Sequence, residues 1–191
     1  MLSVSINLGY NYGYKWFEKD NVKAKGWVIN DSGKSYRDES LTDYFLGINS
    51  VDDLKLLLTK TTGHFAVIIN APNFLIAVTD RGRSVPLYFR NDRGKIEISD
   101  SGFSLIDNQK IKFEFDAYSL QEYLAAGHVT QNRTLLKNVS QLGASEIACF
   151  TNDKVDIFTY FEFLPEFFNN DSFETSVNKF IDVLEMDYKT L

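Results

Sequence analysis

Thiols and imidazoles, the side chains most suited to nucleophilic and near-neutral acid–base chemistry, are few in this chain. It has one thiol, Cys149, and two imidazoles, His64 and His128. A third feature is the stretch TDRGRSVPLYF, residues 79–89, which sets Asp80, Arg81 and Arg83 ahead of Pro86. A cysteine attacks as its thiolate and needs a base or an electropositive neighbour. An imidazole exchanges protons near neutral pH. A carboxylate beside two guanidinium groups could complete a catalytic site, clamp a ligand or hold a structural corner.

Each of these has a plainer reading to set against its chemistry. In Ser-Glu-Ile-Ala-Cys-Phe (145–150) the thiol shares a strand face with Ile147, while Glu146, Ala148 and Phe150 take the other, which favours a buried, inert cysteine. His64 follows a glycine at a strand start and has no acid or nucleophile near it in sequence, so a packed or exposed strand histidine is favoured. His128 follows Gly127, where a loop imidazole meets a helix C-terminus. In the corner stretch, Gly82 lets a turn tighten and Pro86 begins a strand where a missing N–H is tolerated. A charged corner joining two hairpins is therefore favoured over ligand contact for Asp80, Arg81 and Arg83. The aromatics Tyr10, Tyr12, Tyr14, Trp16 and Phe17 suit a ligand cleft or a core face, and packing is the favoured role.

The elements that must position these groups follow from pattern and composition. The 191 residues carry 20 Lys+Arg against 26 Asp+Glu, a formal charge of −6, and are 44% hydrophobic. That is enough for a sizeable core, and the interspersed charge argues against a general nucleic-acid binder. One cysteine makes no internal disulfide, and two isolated histidines give no metal-ligand spacing. No apolar run nears the roughly 20 residues that span a bilayer, and no secretory leader is evident, so a cytoplasmic protein with no membrane insertion is expected. Alternation predicts a strand at 3–8 and a short one at 26–29, and Ser50 caps a helix with Leu54, Leu57 and Leu58 inward. Residues 64–70 and 74–79 are expected to form a hairpin, apolar on both faces, and 86–90 and 95–99 a second hairpin. Asp116 and Gly127 bracket a further helix, residues 146–150 and 154–161 supply two more strands, and Ser172 opens a last, amphipathic helix.

Three blocks carry a resemblance. They are Gly63-His64-Phe65-Ala66-Val67-Ile68-Ile69, then Asp80 through Phe89, then Glu122-Tyr123-Leu124-Ala125-Ala126-Gly127 with Thr134 to Val139. In this order and spacing they resemble the amino-terminal half of the asparagine synthase family. The resemblance implies a glutamine amidotransferase type 2 domain over residues 1–164: an α+β, Ntn-hydrolase-like four-layer αββα sandwich with two stacked, mainly antiparallel sheets. Residues 165–191 then read as a linker and the first helix of a following synthetase domain, which these residues do not contain. ATP and Mg²⁺ are expected only for that domain, and no cofactor for this one. The implied partners are the chain's own C-terminal synthetase domain and, in a homodimer, a second copy.

Active relatives use a cysteine that follows the initiator Met, with its own α-amino group as base. Here that position is Leu2, and Ser3 is the weak alternative nucleophile. The family's R-x-P, N-G-E and G-D-x-E substrate motifs are also missing between Tyr10 and Leu58. The resemblance therefore implies a degenerate glutaminase, with no catalytic residue assigned, that shapes a tunnel or supports an amide-forming enzyme. Biosynthesis of bacterial surface polysaccharides, peptides or other natural products is one setting for it. A live glutaminase with an unusual nucleophile and a non-enzymatic scaffold are the alternatives.

Overall fold

The structure is a computed structural model. It describes residues 3–9, 13–71, 74–92, 94–107, 113–151, 154–164 and 170–190. Leu2, Tyr10, Tyr12, the Pro72–Asn73 and Asn152–Asp153 turns, and the start of the linker at Pro165 lie outside the described residues. The chain divides into a unit of residues 1–161 and a smaller one of 162–191. Among the described residues, no helix is long and apolar enough to cross a membrane.

The first unit is built on two sheets. The larger has seven strands: β2 (Trp16–Lys19), β3 (Val22–Asn30), β4 (Ser35–Arg37), β5 (Thr61–Ala71), β6 (Phe74–Thr79), β10 (Glu146–Phe150) and β11 (Val155–Thr159). Its main order is β11-β10-β6-β5-β3-β2, with β4 pairing onto β3, and every pair is antiparallel. The smaller sheet has the order β1-β8-β7-β9, from β1 (Ser3–Asn7), β8 (Lys95–Ser99), β7 (Tyr88–Asp92) and β9 (Ser140–Gln141). Its β1–β8 pair is parallel.

Side-chain alternation along β5 assigns the layers. Phe65, Val67 and Ile69 face α1 (Glu39–Phe45) and α2 (Val51–Thr59), meeting Leu41, Phe45, Leu54 and Leu58. Ala66 and Ile68 face the small sheet and join Phe89, Ile96 and Ile98. On that sheet's far side Tyr88 packs with Leu105, Ile106, Leu136 and Val139, partly from α3 (Ser104–Asp107). The result is an αββα sandwich of class α+β, and β5 runs as an apolar stretch because both its faces are covered.

Helix ends follow their capping chemistry. Ser50 accepts from the Asp53 N–H at 3.1 Å, and Asp116 accepts from the Ser119 N–H at 2.8 Å to start α4 (Ala117–Ala126). Gly127 ends α4 with φ 76°. Tyr123 and Leu124 of α4 stay exposed. In the second unit, Ser172 accepts from the Thr175 N–H at the start of α5 (Phe173–Thr190).

Several elements differ from the sequence expectation. The short strand at 26–29 extends to the nine residues of β3, because Lys23 and Lys25 interrupt its apolar pattern without interrupting its ladder to β5. β2 and the seven-residue α1 had no expected counterpart; α1 buries only Leu41, Thr42 and Phe45, too few to register as a periodic stripe. The strand expected to begin at Pro86 begins at Tyr88, so the proline lies outside the ladder, where its missing N–H costs nothing.

The β3–β5 pair depends on two glycines. Gly26 (φ +108°) and Gly63 (φ +143°) let the two backbones approach closely: a Cβ on Gly26 would lie 1.9 Å from the His64 carbonyl oxygen, and one on Gly63 2.3 Å from that of Trp27. Gly26→Ala must therefore separate two central strands, and it is expected to cost about 3 kcal/mol by urea denaturation. Wild-type stability would show that the strands part without loss.

Candidate functional site

The corner predicted from TDRGRSVPLYF is organised by the Asp80 carboxylate. Asp80 follows β6 and is 1% exposed. Its Oδ2 accepts the Phe65 N–H at 3.1 Å and the Ser84 N–H at 2.9 Å, and its Oδ1 accepts the Gly82 N–H at 2.7 Å and the Ser84 hydroxyl at 3.2 Å. Its backbone adds a second set of bonds: its N–H donates to the Phe65 carbonyl, and its own carbonyl accepts from the Arg83 and Ser145 N–H groups. One residue thereby ties Phe65 of the central strand to the 81–84 turn and to the loop before β10.

The arginines act differently from the planar forks that their chemistry suggests. Arg83 sits in the left-handed region, φ 54°, and donates to Gln141 Oε1 at 2.6 Å. The Arg81 guanidinium lies 4.1 Å from the centre of the Phe161 ring. Among the described residues neither forms an ion pair with Asp80, whose charge is met by backbone N–H groups and a hydroxyl. Nearby, the Tyr160 hydroxyl donates to the Thr79 carbonyl at 3.0 Å. Burial pushes this phenol's pKa well above its ordinary value; the Asp80 charge adds to the rise and Arg81 opposes it. The corner thus fastens the end of β11, which no short-range sequence signal announces.

The candidate nucleophiles lie apart. Cys149 is half-buried on the helical side of the large sheet, beside the core that includes Ile147. Burial pushes its thiol pKa up, Asp156 adds to the rise and Lys154 opposes it. That is the reverse of thiolate activation. Ser3 is the exposed first residue of β1, in register with Lys95. His128 is exposed, and its Nδ1 lies 3.0 Å from the Ala126 carbonyl oxygen at the end of α4. His64 is exposed, and its Nδ1 lies 2.5 Å from the Ser84 hydroxyl, a partner twenty residues away in sequence. Among the described residues no group of three or more His, Cys, Asp or Glu could hold a metal ion.

A second polar centre was not visible in the sequence. Asp100, 4% exposed, accepts from the Trp16 indole N–H at 2.8 Å and the Gly9 N–H at 3.2 Å. Lys25, 3% exposed, shares the sheet face of Ala66 and its ammonium nitrogen stands 6.0 Å from the centre of the Trp16 ring. Burial lowers the pKa of its amine, and the Asp100 charge opposes that change. The role of Trp16 is thus divided: it packs against the inter-sheet core and also holds a buried carboxylate. Only the folded register brings residues 9, 16, 25 and 100 together.

The layers and the strand order define a two-sheet amidotransferase-type sandwich. Over residues 29–161 the sequence matches the family described as glutamine amidotransferase domain, and the chain belongs to that family. No curated protein matches the sequence.

The corner's energetics are testable. Asp80→Asn puts an amide NH₂ among backbone donors and is expected to cost about 3 kcal/mol. Arg81→Ala, which removes one cation–π contact, is expected to cost about 1 kcal/mol. Equal, negligible losses in denaturant titrations would remove Asp80 from its central role.

Proposed function

We propose that this domain has lost glutaminase chemistry and serves as a supporting, tunnel-shaping domain of an asparagine synthase-like, ATP-dependent amide-forming protein. The observation that carries the reading is the placement of Cys149. The one thiol of the sequence faces the helical core with its pKa raised, so it does not supply the missing nucleophile. The exposed imidazole of His64 does not supply a nucleophile–base pair of the usual order either: its serine partner stands between it and the carboxylate, whereas a hydrolytic triad puts the histidine in the middle. The corner, meanwhile, is fully built, as a domain retained for its shape requires.

In this reading ATP and Mg²⁺ act in the synthetase domain, the amine arrives as ammonia or as a substrate amine, and the partners are that C-terminal domain and a second copy of the chain. Surface-polysaccharide or peptide and natural-product assembly in bacteria is the setting, within the cytoplasm.

The test is turnover. Purified protein incubated with glutamine is expected to release neither glutamate nor ammonia above background, and adding the domain to its synthetase partner is expected to raise amide formation from ammonia. Glutamate release abolished by Ser3→Ala would establish the live-glutaminase alternative. An unchanged rate of amide formation and no complex would leave an independent scaffold.

A further inference from the structure

The described residues hold one exposed imidazole wired to a buried carboxylate, and the amidotransferase reading makes no use of it. His64 Nδ1 lies 2.5 Å from Ser84 Oγ, and Ser84 Oγ lies 3.2 Å from Asp80 Oδ1. A hydroxyl has one proton to give, and a carboxylate only accepts. If Ser84 gave its proton to His64, its oxygen would face Asp80 Oδ1 as one acceptor against another. If it gives the proton to Asp80, every contact is satisfied, provided that His64 Nδ1 carries the imidazole proton and donates to Ser84. The second order also matches Asp80's other contacts, which are all N–H donors. In a neutral imidazole with Nδ1 protonated, Nε2 is a bare acceptor. Among the described residues nothing hydrogen-bonds it.

The surroundings say what that acceptor would take. Trp27 is paired with His64 across β3 and β5, and its ring centre is 5.2 Å from the imidazole's. The glycines Gly26 and Gly63 flank the pair, so its register is fixed by backbone that no side chain could occupy. An acceptor nitrogen calls for a hydrogen-bond donor, and the indole ring and a carboxylate one hydroxyl away favour a cationic one, against the opposing charge of Arg37, which is in register with Trp27 on β4. The chain's formal charge of −6 favours the same sign.

We infer that His64 and Trp27 form a binding site for an ammonium group, with His64 held as its Nδ1–H tautomer by Ser84 and Asp80. This goes beyond the proposed loss of glutaminase activity and does not depend on it. The ligand class is a small primary alkylammonium.

Two measurements on one sample test the site. In a His128→Gln background, long-range ¹H–¹⁵N spectra at about pH 8, where an ordinary histidine is neutral, are expected to show His64 protonated on Nδ1. Ser84→Ala is expected to abolish that preference, while Asp80 keeps its three N–H donors and the fold survives. Titration with methylammonium is then expected to move the His64 and Trp27 side-chain resonances together and saturably, with sodium acetate inert. Trp27→Ala is expected to weaken the response about fivefold, and His64→Ala to remove the Trp27 shift. Wild-type His64 protonated on Nε2 would overturn the proton order. The predicted tautomer with no methylammonium response would overturn the ammonium site. Glutamine turnover moves neither readout, so the two proposals fail separately.

Discussion

The Asp80 carboxylate is the interaction on which the sandwich is arranged. A buried charge is costly unless its lone pairs are met, and here three backbone N–H groups and one hydroxyl meet them. Those donors come from Phe65 within the central strand β5 and from the turn that leaves β6. The carboxylate therefore fixes where the large sheet ends and where the chain crosses toward the small one. Its backbone carbonyl also receives Ser145, whose own carbonyl accepts the Tyr160 N–H. Both edges of the β10–β11 hairpin are thus referred to one residue.

A second constraint acts at the same level of the sheet. Gly26 and Gly63 bring β3 against β5 where a Cβ would collide with backbone, and the residues beside them, Trp27 and His64, are set opposite each other. His64 also reaches Ser84 in the Asp80 turn. The close strand approach and the charged corner are joined through this imidazole. The hydrogen-bond donors around Asp80 are consumed in holding the turn, and the lone thiol lies on the helical face of the large sheet, where burial raises its pKa.

Much of this was legible in the sequence where local chemistry decides structure. Ser50, Asp116 and Gly127 mark helix ends through their own backbone bonds, and the unbroken apolarity of residues 65–69 announces a strand covered on both faces. The Asp-Arg-Gly-Arg stretch was legible as a corner, but its wiring was not. The sequence sets two guanidinium groups beside the carboxylate, whereas the folded chain meets it with backbone N–H groups and places Arg81 over Phe161 and Arg83 against Gln141. β3 and α1 were obscured because lysines in a strand and a seven-residue helix both weaken periodicity. The His64–Ser84 contact and the Asp100–Trp16–Lys25 centre depend on register between distant segments, and nothing local encodes that.

We propose a domain of the glutamine amidotransferase family that keeps its architecture and has lost its glutaminase nucleophile. Incubation with a diazoketone analogue of glutamine, which alkylates a glutaminase nucleophile irreversibly, followed by intact mass measurement, tests it most directly. An unmodified mass at saturating reagent is expected. A stoichiometric adduct mapped by peptide sequencing to Ser3, or to any other side chain that glutamine protects, would contradict it.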